Sequence, residues 1–205
     1  MTTIVDYGMG NLGSIQSMLK KLGETSIITS DPYVIEQASR LILPGVGSFD
    51  SGMNHLTELN LISSLNKRVV QDKVPILGIC LGFQLMTKSS MEGTLTGLSW
   101  FDAYTVKFEL KESIKKYVLP NMGWRKVSIR KEIPLFEGLD DDSWFYFVHN
   151  FHAVTDNIEL VSMTSEYGYE FVASLTKDNI LGVQFHPEKS HKYGLRLLQN
   201  FIRYY

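Results

Sequence analysis

Cysteine is nearly absent from this 205-residue chain: Cys80 stands alone. No internal disulfide can form, and such usage suits a reducing compartment. Charge of one sign is not in excess either, since 20 basic and 22 acidic side chains leave a net charge of −2. Neither nucleic acid nor an anionic membrane finds an electrostatic reason to bind. No apolar run reaches the length that spans a bilayer. The opening Met1–Asp6 lacks the basic region and long apolar core of a signal peptide, so the expected location is cytoplasmic. Repeats and linker-like stretches are also missing, and one domain is expected over residues 1–205.

What is present is alternation. Thr3–Val5 reads as a strand, followed by the glycine-rich Asp6–Gly13 and a helical pattern of Leu12, Ile15, Leu19 and Leu22 that Gly23 stops. Ser26–Thr29 is a second strand, and Asp31-Pro32 supplies a cap and a first-turn proline for a helix. A third strand, Arg40–Leu43, closes at Pro44-Gly45-Val46-Gly47. Helical patterns then run through Met53 and Leu56, and through Ile62, Leu65 and Val69, up to the apolar strand Val74–Ile79. Strands alternating with helices predict a parallel sheet covered on both faces. The second half changes character: Ala103–Phe108, Trp124–Arg130 and Phe145–Val154 are strand-like, and Glu170–Thr176 with Ile180–His186 form a hairpin around Lys177-Asp178-Asn179. A last helical face carries Leu197, Leu198 and Phe201. The expected architecture is an α/β core with an antiparallel β extension.

Two stretches carry chemistry. In Gly78-Ile79-Cys80-Leu81-Gly82-Phe83-Gln84 a strand gives way to a helix through Gly-x-Cys-x-Gly, the pattern of a nucleophile elbow. A thiol there sits at a helix N-terminus, which favours the thiolate. On its own the elbow leaves an ordinary buried cysteine equally open. In Leu181–Glu188, alternation puts Gly182, Gln184 and His186 on one face, and Pro187 holds His186 extended. Glu188, two residues on, can return to orient the imidazole. Cys80, His186 and Glu188 then supply nucleophile, base and orienter. Candidate oxyanion donors are the Leu81 N–H and the Gly45–Gly47 turn. A competing motif, Gly8-x-Gly10-x-x-Gly13 with Asp31 downstream, matches the dinucleotide fingerprint. Asp6 and Tyr7 intervene, however, and Asp31 is already explained as a cap, so a tight turn is the better reading.

Taken with Asp6-Tyr7-Gly8-Met9-Gly10-Asn11, Met122-Gly123-Trp124, Phe145–His149 and His186-Pro187-Glu188-Lys189-Ser190, these motifs give a chain that resembles the class I (triad) glutamine amidotransferases over its whole length. Within them it is similar to the glutaminase subunits of imidazole glycerol phosphate synthases. The resemblance implies a flavodoxin-like three-layer fold with a mostly parallel central sheet. It implies hydrolysis of L-glutamine to glutamate and ammonia through a cysteinyl thioester, with no cofactor and no metal. It also implies a heterodimer with a (β/α)₈-barrel subunit that uses the ammonia to make imidazole glycerol phosphate and AICAR in histidine biosynthesis. By the same analogy Gly47 and Leu81 form the oxyanion hole. Gly82, Gln84, Glu92 and the backbone near His149 hold glutamine, and Asn11, Met122, Trp124, Tyr146 and Lys189 face the partner. Departures from the family pattern fall at Asn121, Asn150-Phe151 and Thr94–Lys116. They leave open a paralogue that feeds ammonia to a sugar, for acetamidino groups of surface polysaccharide.

Overall fold

A computed structural model describes residues 1–110 and 117–205. Among the described residues, eleven strands form one mixed sheet. Its parallel half consists of β1 (Thr2–Val5), β2 (Ser26–Thr29), β3 (Leu41–Leu43), β4 (Ile76–Ile79) and β11 (Ile180–Val183), in the order β2-β1-β3-β4-β11. The antiparallel half continues through β10 (Glu170–Lys177), β9 (Val161–Glu166), β6 (Asn121–Ile129) and β7 (Trp144–His149). β5 (Tyr104–Lys107) joins through β8 (Phe151–Val154), which pairs with β10. This is the expected α/β core with its antiparallel extension.

Strand alternation builds the layers. Val5, Leu41, Leu43 and Ile76 pack in one core with Phe49, Met53 and Leu56 of α3 (Phe49–Glu58), Leu61 and Leu65 of α4 (Leu61–Asn66), and Phe83 and Leu85 of α5 (Leu81–Leu85). Their strand neighbours Ile4, Ile42, Leu77, Ile79, Leu181 and Val183 point the other way. They pack with Ile15 and Leu19 of α1 (Leu12–Lys21) and with Leu197, Leu198 and Phe201 of α6 (His191–Tyr204). Burial on both faces is why these strands read as unbroken apolar runs. Asp31 accepts from the Tyr33 N–H at 2.9 Å and caps α2 (Pro32–Glu36). A Cβ on Gly13 would meet nothing within 4 Å. The acidic residue and the third glycine of the dinucleotide fingerprint therefore serve other ends.

Three expectations are corrected. The Phe145–Val154 stretch is two strands broken at Asn150, and β9 was not anticipated. The run to His186 ends as a strand at Val183: Gln184 still keeps one rung with β10, and His186 leaves the ladder for β7. The Gln184 N–H reaches the Ala173 carbonyl and the His186 N–H reaches the Tyr146 carbonyl, both at 2.9 Å. Of the atypical Thr94–Lys116 stretch, residues 111–116 lie outside the described part.

The hairpin does more than expected. β11 pairs antiparallel with β10, and on its other edge parallel with β4, in the register Gly182↔Gly78 and Val183↔Ile79. Two segments a hundred residues apart thus end side by side. That register is what brings His186 to Cys80.

Candidate active site

β4 ends at Ile79, and Cys80 adopts φ 53° and ψ −109°, a conformation that a residue with a side chain rarely enters. Its neighbours hold it there. The Cys80 N–H donates to the Val183 carbonyl at 2.8 Å, and the Cys80 carbonyl accepts from the Gln84 N–H at 3.1 Å as α5 begins. This is the strained turn the elbow motif predicts.

His186 is fixed by β7. Ser190 Oγ donates to the His186 carbonyl at 2.6 Å and accepts from the Tyr146 N–H at 3.0 Å. His186 Nδ1 bonds Glu188 Oε1 at 2.8 Å, with both side chains 1% exposed. Asn11 Nδ2 donates to the same oxygen at 3.1 Å. His186 Nε2 is buried with no hydrogen-bond partner among the described residues, the nitrogen left for the thiol side. Burial by itself disfavours the imidazolium. The charge at Cys80, and after it Glu188, outweigh burial and push His186 up to about 10. Burial would likewise raise Glu188, but its bond to His186 prevails and holds it below the usual carboxylate range.

Cys80 and His186 line one cleft of about 250 Å³, together with Gly47, Leu81, Gln84, Glu92, His149 and Phe151. That is smaller than the roughly 300–1,000 Å³ of drug-sized sites, and it suits an amino acid better than a nucleotide. A wider depression of about 890 Å³ along Ile129–Asp141 holds none of the candidate residues.

Beside the sulfur lies the Pro44–Gly47 turn. Gly47 takes φ 121°, open to glycine and strained for other residues. The Leu81 N–H donates to the Gly45 carbonyl over a long 3.4 Å. Tyr7 Oη donates to the Pro44 carbonyl at 2.6 Å. Burial, then the charge at Cys80, hold that phenol protonated well above its usual range. Glu92 Oε2 accepts from the Phe49 N–H at 2.8 Å, pinning α3 directly after the turn.

On the far wall, His149 Nδ1 faces the Phe151 carbonyl at 2.7 Å and Nε2 faces Asn121 Nδ2 at 2.9 Å. A carbonyl only accepts and an amide nitrogen only donates, so His149 is the neutral Nδ1–H tautomer. Burial lowers it to about 3, against partial support for the charged form from the Phe151 carbonyl. An unfolded histidine titrates near 6.5. The unfolded chain therefore binds the extra proton as pH falls through that value, and stability falls with it toward pH about 3. The expected result is a His149 ring whose ¹⁵N shifts stay those of the Nδ1–H tautomer down to about pH 4. A midpoint near 6.5 in the folded protein would overturn it.

The expected partner-facing residues divide. Trp124 and Tyr146 are cross-strand neighbours with ring centroids 6.0 Å apart, and the Lys189 ammonium lies 5.6 Å over Tyr146. Met122 is 55% exposed beside them. Asn11, half-buried, donates its amide to Glu188. Sequence reasoning missed that contact, along with Tyr7, Asn121 and Ser190. Side-chain bonds between distant segments leave no periodic signal.

A family model described as glutamine amidotransferase class-I matches residues 3–204. The chain is 53% identical over 203 residues to the imidazole glycerol phosphate synthase subunit HisH 2 of Methanococcus maripaludis, covering 99% of each. It is 45% identical over 204 residues to subunit HisH 1 of Campylobacter jejuni, covering 99% of this chain and 100% of that one. Among solved structures, a putative GMP synthase protein of Thermoplasma acidophilum shares the fold. Its TM-score is 0.73 at 24% identity, covering 98% of this chain and 92% of that one. The chain belongs to the class-I glutamine amidotransferase family.

Proposed function

We propose that the chain is the glutaminase subunit of an imidazole glycerol phosphate synthase, with Cys80, His186 and Glu188 as its catalytic triad. The observation that carries the reading is the meeting of Cys80 and His186 on one cleft, with Nδ1 of His186 tied to Glu188 and Nε2 left unpartnered among the described residues. The names of the relatives support the synthase over an amidinating paralogue.

The mechanism follows from the geometry. The Cys80 sulfur, its proton held by His186, attacks the side-chain carboxamide carbon of glutamine. The oxyanion takes hydrogen bonds from the Leu81 and Gly47 N–H groups. The imidazolium passes its proton to the leaving nitrogen, the C–N bond breaks, and ammonia departs from a γ-glutamyl thioester. His186 then removes a proton from water, which adds to the thioester carbon. The C–S bond breaks, the thiolate leaves and glutamate is released. Glu188 keeps the ring oriented and stabilises the imidazolium in both halves. Gly82, Gln84, Glu92 and the His149 strand frame glutamine's amino-acid end.

The Leu81 N–H is engaged by the Gly45 carbonyl, so oxyanion binding requires the turn to give up that bond. The isolated chain is accordingly expected to be a poor glutaminase. Its barrel partner, docked on Met122, Trp124, Tyr146 and Lys189, should raise the rate. The decisive experiment mixes the purified chain with a (β/α)₈-barrel synthase subunit. Glutamate release and transfer of ammonia to the ribonucleotide intermediate are then followed. Transfer supports the reading; high activity without a partner, or transfer only to a sugar acceptor, refutes it. On the docking face, Trp124→Ala should weaken the complex by on the order of 30-fold in Kd, about 2 kcal/mol, as read by titration calorimetry. Unchanged affinity would remove this face as the interface.

A further inference from the structure

Gln184 is fully buried, and nothing in the reaction above uses it. Its side chain lies between Gln84 and the sulfur. Gln84 Nε2 is 3.0 Å from the Phe151 carbonyl and 3.0 Å from Gln184 Oε1, and Gln184 Nε2 is 3.7 Å from Cys80 Sγ. Carboxamide ends are ordinarily ambiguous, but here a backbone group decides them. The Phe151 carbonyl can only accept, so Gln84 must turn its nitrogen to it. That nitrogen can only donate, so Gln184 must turn its oxygen to Gln84. The Gln184 NH₂ is then aimed at the sulfur. Gln84, Gln184 and Cys80 are all buried, and a reversed amide anywhere would set donor against donor or acceptor against acceptor, at a cost typical of an unsatisfied buried group.

We propose that Gln184, latched by Gln84, is a positioning residue whose N–H holds the Cys80 sulfur as thiolate. The proposal rests on Cys80 being the nucleophile. A hydrogen bond strengthens when its acceptor is ionised, so the donor favours thiolate over thiol before attack. It favours thiolate again when the C–S bond of the thioester breaks. A thioester sulfur accepts poorly, so the intermediate gains little from the same contact. The bond is therefore selective for the two states in which sulfur carries charge.

The single cysteine makes the test direct, because Cys80 is the one thiol iodoacetamide can alkylate and its peptide is followed by mass. Two variants keep the packing: Gln184→Glu, of the same shape but with no proton to donate when ionised, and Gln184→Met, neutral and of similar length. Alkylation rates of the full chain are measured by mass spectrometry from about pH 5.5 to 9.5. The expected order at neutral pH is wild type fastest, Met slower, and Glu slowest by about tenfold, with profiles displaced to higher pH. The gap should close at the alkaline end, where the thiol ionises without help. A packing defect would not recover with pH. Profiles that superimpose on wild type, in variants with wild-type circular dichroism, overturn the proposal; loss that persists at high pH overturns it too. The Met variant keeps the test open if a buried carboxylate disturbs folding. The parent reading fails separately, if Cys80→Ser still hydrolyses glutamine, since alkylation needs no glutamine.

Discussion

Replacing Cys80 with serine should lower glutamine hydrolysis by on the order of 10⁴-fold or more, and His186→Asn by a similar factor. The two substitutions act on one unit. Serine's hydroxyl is held by the same strained turn but does not ionise near neutrality, so the charge that favours the His186 imidazolium vanishes with it. Asparagine at 186 preserves the Tyr146 backbone contact, which uses the residue's N–H, but provides no proton carrier. Combining the changes should cost little more than either alone, because members of a catalytic unit are grossly non-additive. Neither position belongs to the Met122–Trp124–Tyr146 face, so partner binding should survive both. Steady-state glutamate release and a pull-down with the barrel subunit separate the outcomes. Turnover retained by Cys80→Ser would end the thioester mechanism.

Gly82→Ala should be severely damaging for the addition of a single methyl. A Cβ there would sit 1.9 Å from the Leu43 carbonyl oxygen and 2.7 Å from its carbon, both backbone atoms. Helix propensity alone favours alanine by about 1 kcal/mol, but backbone in the middle of a parallel sheet cannot yield by the ångström required. We expect a loss on the order of 3 kcal/mol or more in urea unfolding. The shift should also fall on activity, since Leu43 leads into the Pro44–Gly47 turn and Gly82 follows the Leu81 donor. Gly13→Ala is the matched control. With nothing within 4 Å of the added carbon and no positive φ, it should leave stability unchanged or raise it by up to about 1 kcal/mol. Equal effects at the two sites would mean that close packing at Gly82 is not what excludes a side chain.

The two glycines also show what is legible in a sequence. Both sit in glycine-bearing motifs at helix starts, and nothing local separates them. Only the passage of the Leu43–Pro44 backbone beside α5 makes one indispensable. The same holds at the site. Cys80 and His186 were readable because each lies in a dense local pattern, a Gly-x-Cys-x-Gly elbow and a strand ending at His-Pro-Glu. Gln184, two positions before His186, shares that pattern, yet its link to the sulfur depends on Gln84 and Phe151, which lie far off in the chain.

What the sequence determined by itself was local. Apolar runs alternating with helical patterns called for a two-faced parallel sheet, Asp31-Pro32 set the start of α2, and composition excluded an internal disulfide and gave no electrostatic argument for a polyanionic partner. The chemical alphabet of the site was also there: one thiol, one imidazole beside a carboxylate, and glycines around a turn. The tertiary structure decided the pairing of β11 with β4, which carries His186 to Cys80. It also brought the Asn11 amide to Glu188, and set the chain of amides that ends on the sulfur. These are contacts between segments up to 177 residues apart, and periodicity reports only a residue's relation to its near neighbours. Long-range pairing is selected by the whole core at once, so it becomes visible only when the chain is folded.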